Sequence, residues 1–106
     1  MTDPWIARFK KDALPKIKRA FKPQKVILFG SRVRGDAHEG SDIDVIMISS
    51  AFSGVPFVNR MAMVARKVRF PKHIDYLCYT PAEFRRIKTE SAIIMDALDN
   101  AMVVAG

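Results

Sequence analysis

Hydrophobic residues recur at helical spacing along the N-terminal segment. Asp3 followed by Pro4 predicts the start of a helix, with Asp3 as its N-cap and Pro4 in the first turn. Pro15 has no N–H to donate, so we expect it to kink this segment or to split it into two helices before Pro23 ends it. The apolar positions that predict one buried helical face are Trp5, Ile6, Phe9, Leu14, Ile17 and Phe21.

Short apolar runs further along the chain predict the strands of a small sheet. Residues 25–29 form a buried strand that ends at Gly30. Residues 42–48 are apolar on both faces after the first three positions, which places this strand at the centre of the sheet. Residues 73–79 predict a third strand, and residues 101–105 predict a short edge strand.

Helices and loops are predicted between these strands. Residues 31–40 indicate a short helical turn and a charged loop, and residues 49–54 a second loop. Thr80-Pro81-Ala82-Glu83 has the pattern of a capping box, so we expect a helix from there past Ile87 and another over residues 91–98. Residues 56–68 predict a helix whose apolar stripe faces the core, formed by Phe57, Met61, Val64, Ala65 and Val68.

This order of elements predicts one α/β domain over residues 1–106, with a small mixed β-sheet flanked by helices. The apolar runs are too short to span a bilayer, and no segment resembles a signal peptide. The single cysteine, Cys78, is expected to be buried as a small hydrophobic residue. We therefore expect a soluble cytoplasmic domain with no membrane partner.

The charge of the chain is positive and unevenly distributed. The net charge is +7, and 8 of the 18 lysines and arginines lie between Arg8 and Lys25, opposed only by Asp12. A second basic group lies between Arg60 and Lys72. Solvated helix faces account for both groups, while attraction to nucleic acid or nucleotide, or docking on an acidic partner, is the functional alternative.

Two aspartates at the start of the second predicted strand suggest metal chemistry. Asp42 and Asp44 are two residues apart, so in a strand their carboxylates lie on the same face and repel each other unless a cation separates them. Mg²⁺ takes oxygen ligands and completes its shell with water or substrate phosphates. An Asp-x-Asp pair alone is weak support, because two exposed aspartates in a strand are commonplace.

The turn after the first strand offers the complementary half of a phosphate site. Gly30 allows the backbone to approach a ligand closely, and the following turn can aim N–H groups at phosphate oxygens. Ser31 adds a hydroxyl, and Arg32 and Arg34 can neutralise phosphate charge. An ordinary strand-to-turn glycine with a capping serine is the alternative.

A third carboxylate supports the functional interpretation. Asp75 lies within an otherwise apolar strand, where a charge requires a partner or a metal ion. A strand-end aspartate paired with a neighbouring arginine is the alternative. If this strand pairs beside the second strand, Asp75 joins Asp42 and Asp44, and it is then placed to ligate metal and to help deprotonate an attacking hydroxyl. With one cysteine and two dispersed histidines a zinc site is not expected, and His38 and His73 are interpreted as solvated or hydrogen-bonded.

The segment FGSRVRGDAHEGSDIDV, followed by the apolar strand that holds Asp75, resembles the minimal nucleotidyltransferases of the DNA polymerase beta superfamily. The resemblance implies a polymerase beta palm-like fold in which Asp42, Asp44 and Asp75 ligate two Mg²⁺ ions. It implies that Gly30 and Ser31 hold the triphosphate of ATP or another NTP. The reaction implied is transfer of a nucleoside monophosphate with release of pyrophosphate. Arg32 and Arg34 match the motif as nucleotide-binding residues.

The resemblance also implies a partner. Small members of this family accompany a helical HEPN-domain protein as a toxin–antitoxin pair, and the antitoxin is thought to add AMP to its toxin, to bind it tightly, or both. Because all three carboxylates are present, we expect an adenylyltransferase that acts on a protein acceptor within a homo- or hetero-oligomer. The alternatives are a non-catalytic binding antitoxin and a transferase that extends RNA ends, although nucleic acid is not the favoured partner.

Overall fold

The computed structural model describes residues 3–106, and its N-terminal segment is a helix interrupted by a wider turn. Helix α1 (Pro4–Arg8) leads through a π-helical turn (Phe9–Ala13) into α2 (Leu14–Phe21). Asp3 caps α1 as predicted, since its Oδ1 accepts hydrogen bonds from the N–H groups of Trp5 and Ile6 at 2.8 and 3.3 Å. The split expected at Pro15 takes the form of this π-helical turn, after which α2 begins with Pro15 in its first turn, where the missing N–H is tolerated.

The sheet has four strands in the order β3-β2-β1-β4. They are β1 (Lys25–Phe29), β2 (Ile43–Ile48), β3 (Ile74–Tyr79) and β4 (Met102–Ala105). β1 runs antiparallel to both β2 and β4, while β2 and β3 are parallel. The central position of β2, the edge position of β4 and the mixed sheet are confirmed. β2 and β3 each begin one residue later than the sequence predicted, so Asp42 and His73 immediately precede their strands.

The remaining helices are α3 (Ser31–Arg34), α4 (Phe57–Lys67), α5 (Pro81–Glu90) and α6 (Ala92–Asp99). The capping box of α5 is confirmed, because Thr80 and Glu83 exchange side-chain to backbone hydrogen bonds at 2.8 and 3.2 Å. The predicted loop over residues 49–54 instead contains a 3₁₀ turn (Ser50–Phe52). Its Phe52 is fully buried and stacks on Phe21, with ring centroids 5.6 Å apart, so tertiary packing orders this segment.

The sheet separates two apolar clusters. One face packs against α1, α2 and α4, and includes Val45, Tyr76 and the buried Cys78. The opposite face packs against α5 and α6 through residues such as Ile46 and Tyr79. Burial raises the pKa of the Cys78 thiol to about 12, which keeps it protonated and supports its expected role as a small core residue. No helix among residues 3–106 has the length and apolar character needed to cross a membrane.

Helix α4 presents a different face to the core than its apolar stripe predicted. Of that stripe only Val64 and Val68 are buried, whereas Phe57 and Met61 are 49% and 41% exposed and Ala65 is also exposed. The buried line runs through Arg60, Val64 and Val68 instead. The prediction that Phe57, Met61 and Ala65 face the core is wrong. The helix is rotated so that Arg60 occupies an interior position instead.

Hydrogen bonds explain why Arg60 lies inside. Its guanidinium donates to the carbonyl oxygens of Val55 and Cys78 at 2.8 and 3.1 Å. It also forms a two-point ion pair with the Glu83 carboxylate, at 2.6 and 3.1 Å. A buried charge is stable only when it is paired and hydrogen-bonded in this way. Arg60 thus links α4 to β3 and α5, and this connection sets the rotation of α4.

Glu83→Gln should destabilise the fold in a manner that depends on pH. The ion pair with Arg60 lowers the pKa of Glu83 from 4.5 to about 2, so its stabilising contribution is complete above pH 4.5 and is lost as the pH falls towards 2. We expect a loss of about 2 kcal/mol in the free energy of unfolding at pH 7, moderated by the partial exposure of Glu83. Urea unfolding at pH 7, 4.5 and 3 measures this.

The difference between Glu83→Gln and the wild type should shrink as the pH falls, because acid protonates Glu83 in the wild type. Glu90→Gln, at an exposed position of the same helix, is the matched control. A pH-independent difference would contradict the assignment of the effect to this ion pair.

Candidate active site

Asp44 and Asp75 lie side by side on adjacent strands. They occupy the same register position across the parallel pair β2 and β3, so their carboxylates share one sheet face. Both are half-buried, beyond the part of that face that α5 and α6 cover. Burial and the neighbouring charges of Asp75 and Asp42 raise the pKa of Asp44, while Arg34 opposes this shift. The sequence predicted that Asp75 joins Asp42 and Asp44 if β3 pairs beside β2, and this pairing of the strands is confirmed.

Asp42 completes the group of carboxylates, and the side chain of His73 lies beside it. Ligand atoms of Asp42, His73 and Asp75 lie within 4.8 Å of one another. His73 Nε2 lies 2.9 Å from Asp75 Oδ1. The interpretation of His73 as a hydrogen-bonded histidine therefore holds, but its position inside the carboxylate group was missed. The available signal was its spacing, because His73 and Asp75 are two residues apart at the start of a strand.

Gly30 brings the backbone against the Asp44 carboxylate. Phe29, the last residue of β1, pairs with Asp44, and Gly30 follows with φ 85° and ψ −164°. This conformation is accessible almost only to glycine. A Cβ at this position would overlap Oδ2 of Asp44. The glycine is thus required both for the turn and for the close approach to the carboxylate.

The turn that follows Gly30 leaves hydrogen-bond donors beside the carboxylates. Gly30 O accepts from the N–H groups of Val33 and Arg34 at 3.1 and 3.0 Å, so the N–H groups of Ser31 and Arg32 precede the first helical hydrogen bond of α3. Ser31 is half-buried and its hydroxyl makes no hydrogen bond within residues 3–106. These groups can donate to phosphate oxygens, as the sequence predicted for Gly30 and Ser31.

Arg32 and Arg34 differ in the structure, although the motif predicted nucleotide contacts for both. Arg32 is buried, and its guanidinium donates to Asp3 Oδ2 and to the carbonyl oxygen of Ser41, both at 2.9 Å. It also donates to the carbonyl oxygens of His38 and Glu39. These contacts argue against a direct phosphate contact by Arg32, because the donors engaged in them are committed to Asp3 and to the loop that leads to Asp42. Arg34 is exposed, and within residues 3–106 it forms one ion pair, with Asp36 at 3.4 Å, so it remains accessible to a ligand.

The donor set suits a divalent cation. Asp42 and Asp44 form no ion pair with lysine or arginine among the described residues, so no side-chain cation offsets their charge at contact distance. Burial raises the pKa of Asp44, and the repulsion by Asp75 and Asp42, which a bound cation would relieve, raises it further. Clustered carboxylate oxygens at an open end of a sheet match the preference of Mg²⁺ for oxygen ligands and retained waters.

An apolar groove begins beside these carboxylates. A cavity of about 490 Å³ is bounded by Asp44 and Asp75 at one end and by Phe57, Val58 and Met61 of α4. A second cavity of about 560 Å³ shares Val58 and Met61 and continues along α4 beside β3 to His73. We call these two cavities together the α4–β3 groove. The exposed face of α4, which the sequence had assigned to the core, forms one wall of it.

Gly30→Ala should damage both the fold and the site. The strained backbone alone should cost about 1–3 kcal/mol in the free energy of unfolding. The added Cβ must also displace the Asp44 carboxylate, so we expect a larger loss of transfer activity than of stability. Thermal unfolding and a nucleotidyl-transfer assay measure the two effects.

Gly35→Ala is the control for Gly30→Ala. Gly35 also has a positive φ, of 90°, but a Cβ there would meet no atom within 4 Å. It should therefore lower stability and leave the position of Asp44 unchanged. Equal losses of activity in the two variants would contradict a specific role of the contact between Gly30 and Asp44.

Comparisons with known proteins show which family and which structures this chain is similar to. Residues 10–103 match the model of the nucleotidyltransferase domain family. The structure resembles that of a candidate nucleotidyltransferase from Sulfolobus solfataricus, at 25% sequence identity and a TM-score of 0.59, over 89% of this chain and 73% of that one. None of the curated proteins searched matches the chain.

Two Arabidopsis thaliana structures share the fold alone. BolA1 is 16% identical with a TM-score of 0.51, over 76% of this chain and 96% of that one. The BolA domain of SufE1 is 15% identical with a TM-score of 0.51, over 78% of this chain and 99% of that one. The predicted α/β fold is confirmed by the sheet itself and by the Sulfolobus structure.

Proposed function

This chain belongs to the nucleotidyltransferase domain family, and we propose that it transfers AMP from ATP to a hydroxyl group of a partner protein, with Mg²⁺ as its metal ion. One observation carries the proposal: Asp42, Asp44 and Asp75 come together at one end of the sheet, directly beside the turn formed by Gly30 and Ser31. This arrangement places metal ligands next to phosphate-binding donors, as nucleotidyl transfer requires.

The side chains of the site have different roles in the proposed reaction. Asp42, Asp44 and Asp75 would hold Mg²⁺, which supplies charge neutralisation at the attacking and leaving oxygens. Ser31 donates its hydroxyl to a phosphate oxygen of ATP, and the exposed Arg34 adds positive charge nearby. These contacts orient the triphosphate before the reaction, which lowers the entropic part of the barrier.

The proposed chemical step balances without any further reactant. The acceptor oxygen forms a bond to the α-phosphorus of ATP, and the bond from that phosphorus to the bridging oxygen breaks. The electron pair of the broken bond leaves with pyrophosphate. The proton of the acceptor hydroxyl passes to the carboxylate of Asp75, which is the third member of the group and lies beside the groove.

The α4–β3 groove supports a protein as the acceptor. Its α4 wall is apolar, with Val58 85% exposed and Phe57 and Met61 also exposed. An exposed apolar patch of this kind is typical of a protein interaction site, whereas nucleic acid is held by basic and stacking side chains. Because the groove ends at Asp44 and Asp75, a protein segment bound in it lies next to the reacting atoms.

The outer edge of β3 offers backbone groups to the same partner. His73 and Tyr79 direct their carbonyl oxygens to β2, where they accept from Ile43 and Ser49. Because carbonyl direction alternates along a strand, the carbonyl oxygen of Tyr76 points to the opposite edge, where no strand of residues 3–106 pairs. An extended segment of a partner can pair with such an edge. We propose that this partner is a HEPN-domain toxin and that the chain is its antitoxin.

The N-terminal basic group fits a nucleic-acid acceptor less well. The exposed lysines of the π-helical turn and of α2 lie on a segment that covers the sheet face opposite to Asp44 and Asp75. The apolar groove, in contrast, would also serve an antitoxin that acts by binding alone. We therefore keep binding without catalysis as the second candidate function.

Transfer of labelled AMP tests the proposal. The protein is incubated with Mg²⁺ and α-phosphate-labelled ATP, with the co-expressed HEPN partner or a lysate of the source cells as acceptor. We expect label on one discrete protein. Label on RNA would overturn the protein acceptor, and an unlabelled but silenced partner would establish the binding antitoxin instead.

One variant in the groove and one outside it test whether labelling of the acceptor depends on this surface. Val58→Glu introduces a charge at an exposed position of the α4–β3 groove and should reduce labelling of the acceptor without lowering stability. Ile93→Glu, at a position 78% exposed on α6 and outside the groove, is the matched control and should label normally. Equal labelling by the two variants would contradict docking in the groove.

A further inference from the structure

We propose that His73 is a metal ligand of this site and makes it bind first-row transition ions, with Mn²⁺ as the representative, in preference to Mg²⁺. The inference rests on the proposed function, because it assigns the metal selectivity of that same site. It concerns a residue that the three-carboxylate motif does not include. The observation that carries it is the group formed by Asp42, His73 and Asp75.

The geometry gives these three side chains a common centre. Their ligand atoms lie within 4.8 Å of one another, and His73 Nε2 is 2.9 Å from Asp75 Oδ1. Two ligands of one ion, each about 2.1 Å from it, are separated by roughly 3–4 Å. Small rotations of exposed or half-buried side chains therefore bring all three to one ion, without movement of the strands that carry them.

The imidazole of His73 is accessible to such an ion. Its side chain is exposed, and within residues 3–106 its hydrogen-bond partner is the Asp75 carboxylate. A histidine that contacts a metal ligand and reaches the second carboxylate of the group has two possible roles. It either binds the ion directly through a nitrogen, or it orients Asp75 while Asp75 binds the ion.

Ion selectivity distinguishes these roles. Mg²⁺ favours all-oxygen ligands and dehydrates reluctantly, so a nitrogen ligand adds little to its affinity. First-row transition ions accept imidazole together with carboxylates, and Mn²⁺, although the weakest binder of the series, gains more affinity from a nitrogen ligand than Mg²⁺ does. A histidine that only orients Asp75 should strengthen the binding of both ions by a similar factor. Direct ligation therefore predicts an effect on Mn²⁺ that Mg²⁺ does not share.

Metal binding to the full-length protein, without nucleotide, is the test. Free Mn²⁺ is measured by electron paramagnetic resonance, and the affinity of Mg²⁺ is obtained by competition. We expect His73→Gln to weaken Mn²⁺ binding by about 10-fold or more, and Mg²⁺ binding by less than about threefold. His38→Gln replaces the other histidine, which is exposed in the loop before Asp42, and should leave both affinities unchanged.

Two results would overturn the inference. Equal weakening of Mn²⁺ and Mg²⁺ binding would make His73 a positioning residue for Asp75, and unchanged Mn²⁺ binding would remove His73 from the site. Because position 73 is exposed, His73→Gln should fold, which circular dichroism checks. Failure of the proposed function has a different signature, since a protein without transfer activity can still show selective Mn²⁺ binding.

Discussion

Asp44→Asn should abolish nucleotidyl transfer while the fold survives. Asp44 is the carboxylate at the centre of the site: it pairs in register with Asp75 and packs against the backbone of Gly30. Removing one charged ligand should cost about 4 kcal/mol of transition-state stabilisation, which corresponds to a loss of about 1000-fold in kcat/KM. A labelled-ATP transfer assay with the partner protein measures the loss.

The stability of this variant should not fall. Burial and the neighbouring charges of Asp75 and Asp42 raise the pKa of Asp44, which means that its ionised form is disfavoured in the folded protein. Asparagine has nearly the same shape and removes this repulsion, so the melting temperature without metal should be equal or higher. An inactive variant that is also well folded would separate a role in the reaction from a role in folding.

Asp96→Asn is the matched control for Asp44→Asn. It removes one carboxylate from an exposed position on α6 and should retain full activity. Wild-type rates of transfer by Asp44→Asn would contradict the catalytic proposal. In that case silencing of the partner by the same variant would support an antitoxin that works by binding.

Arg32→Met should lower both stability and activity, although Arg32 is not expected to touch the nucleotide. The buried guanidinium joins Asp3, the N-cap of α1, to the carbonyl oxygen of Ser41, the residue before Asp42. Burial acts to raise the pKa of Asp3, but hydrogen bonds from Arg32 and from backbone N–H groups hold it below its ordinary value. Methionine fills the space of the side chain and leaves these partners without a donor.

The buried position of Arg32 sets the expected losses of stability, metal affinity and activity in Arg32→Met. Breaking a buried ion pair and its hydrogen bonds by removing one partner should cost about 3 kcal/mol in the free energy of unfolding. Loss of the group that positions a metal-binding loop should lower metal affinity and activity by roughly 10- to 100-fold. Urea unfolding and Mn²⁺ binding measure the two effects separately.

Arg34→Met provides the contrast to Arg32→Met. Arg34 is exposed, so its replacement should change stability by less than about 0.5 kcal/mol. It should instead raise the KM for ATP, because positive charge near the phosphates is lost. If the two variants exchanged these phenotypes, Arg32 would be the nucleotide contact and the loop-positioning role would be wrong.

The order of the elements and the identity of the carboxylate group were predictable from the sequence. The strands are short apolar runs, and the helix starts carry local signals such as Asp3-Pro4 and the Thr80 capping box, which act through neighbouring residues alone. Asp42, Asp44 and Asp75 were predictable as a group because strand periodicity and the pairing of two strands suffice to bring them together. Their individual roles and the partner remain predictions.

The rotation of α4 and the separate positions of Arg32 and Arg34 were decided by tertiary structure alone. Each depends on groups distant in the chain: Arg60 turns inward because Cys78 and Glu83 accept its hydrogen bonds, and Arg32 is buried because Asp3 and Ser41 do the same. Helical periodicity assigns arginines to the solvent, because it carries no information about distant acceptors. The physical reason is that burial of a charge is favourable only when such acceptors are already in place.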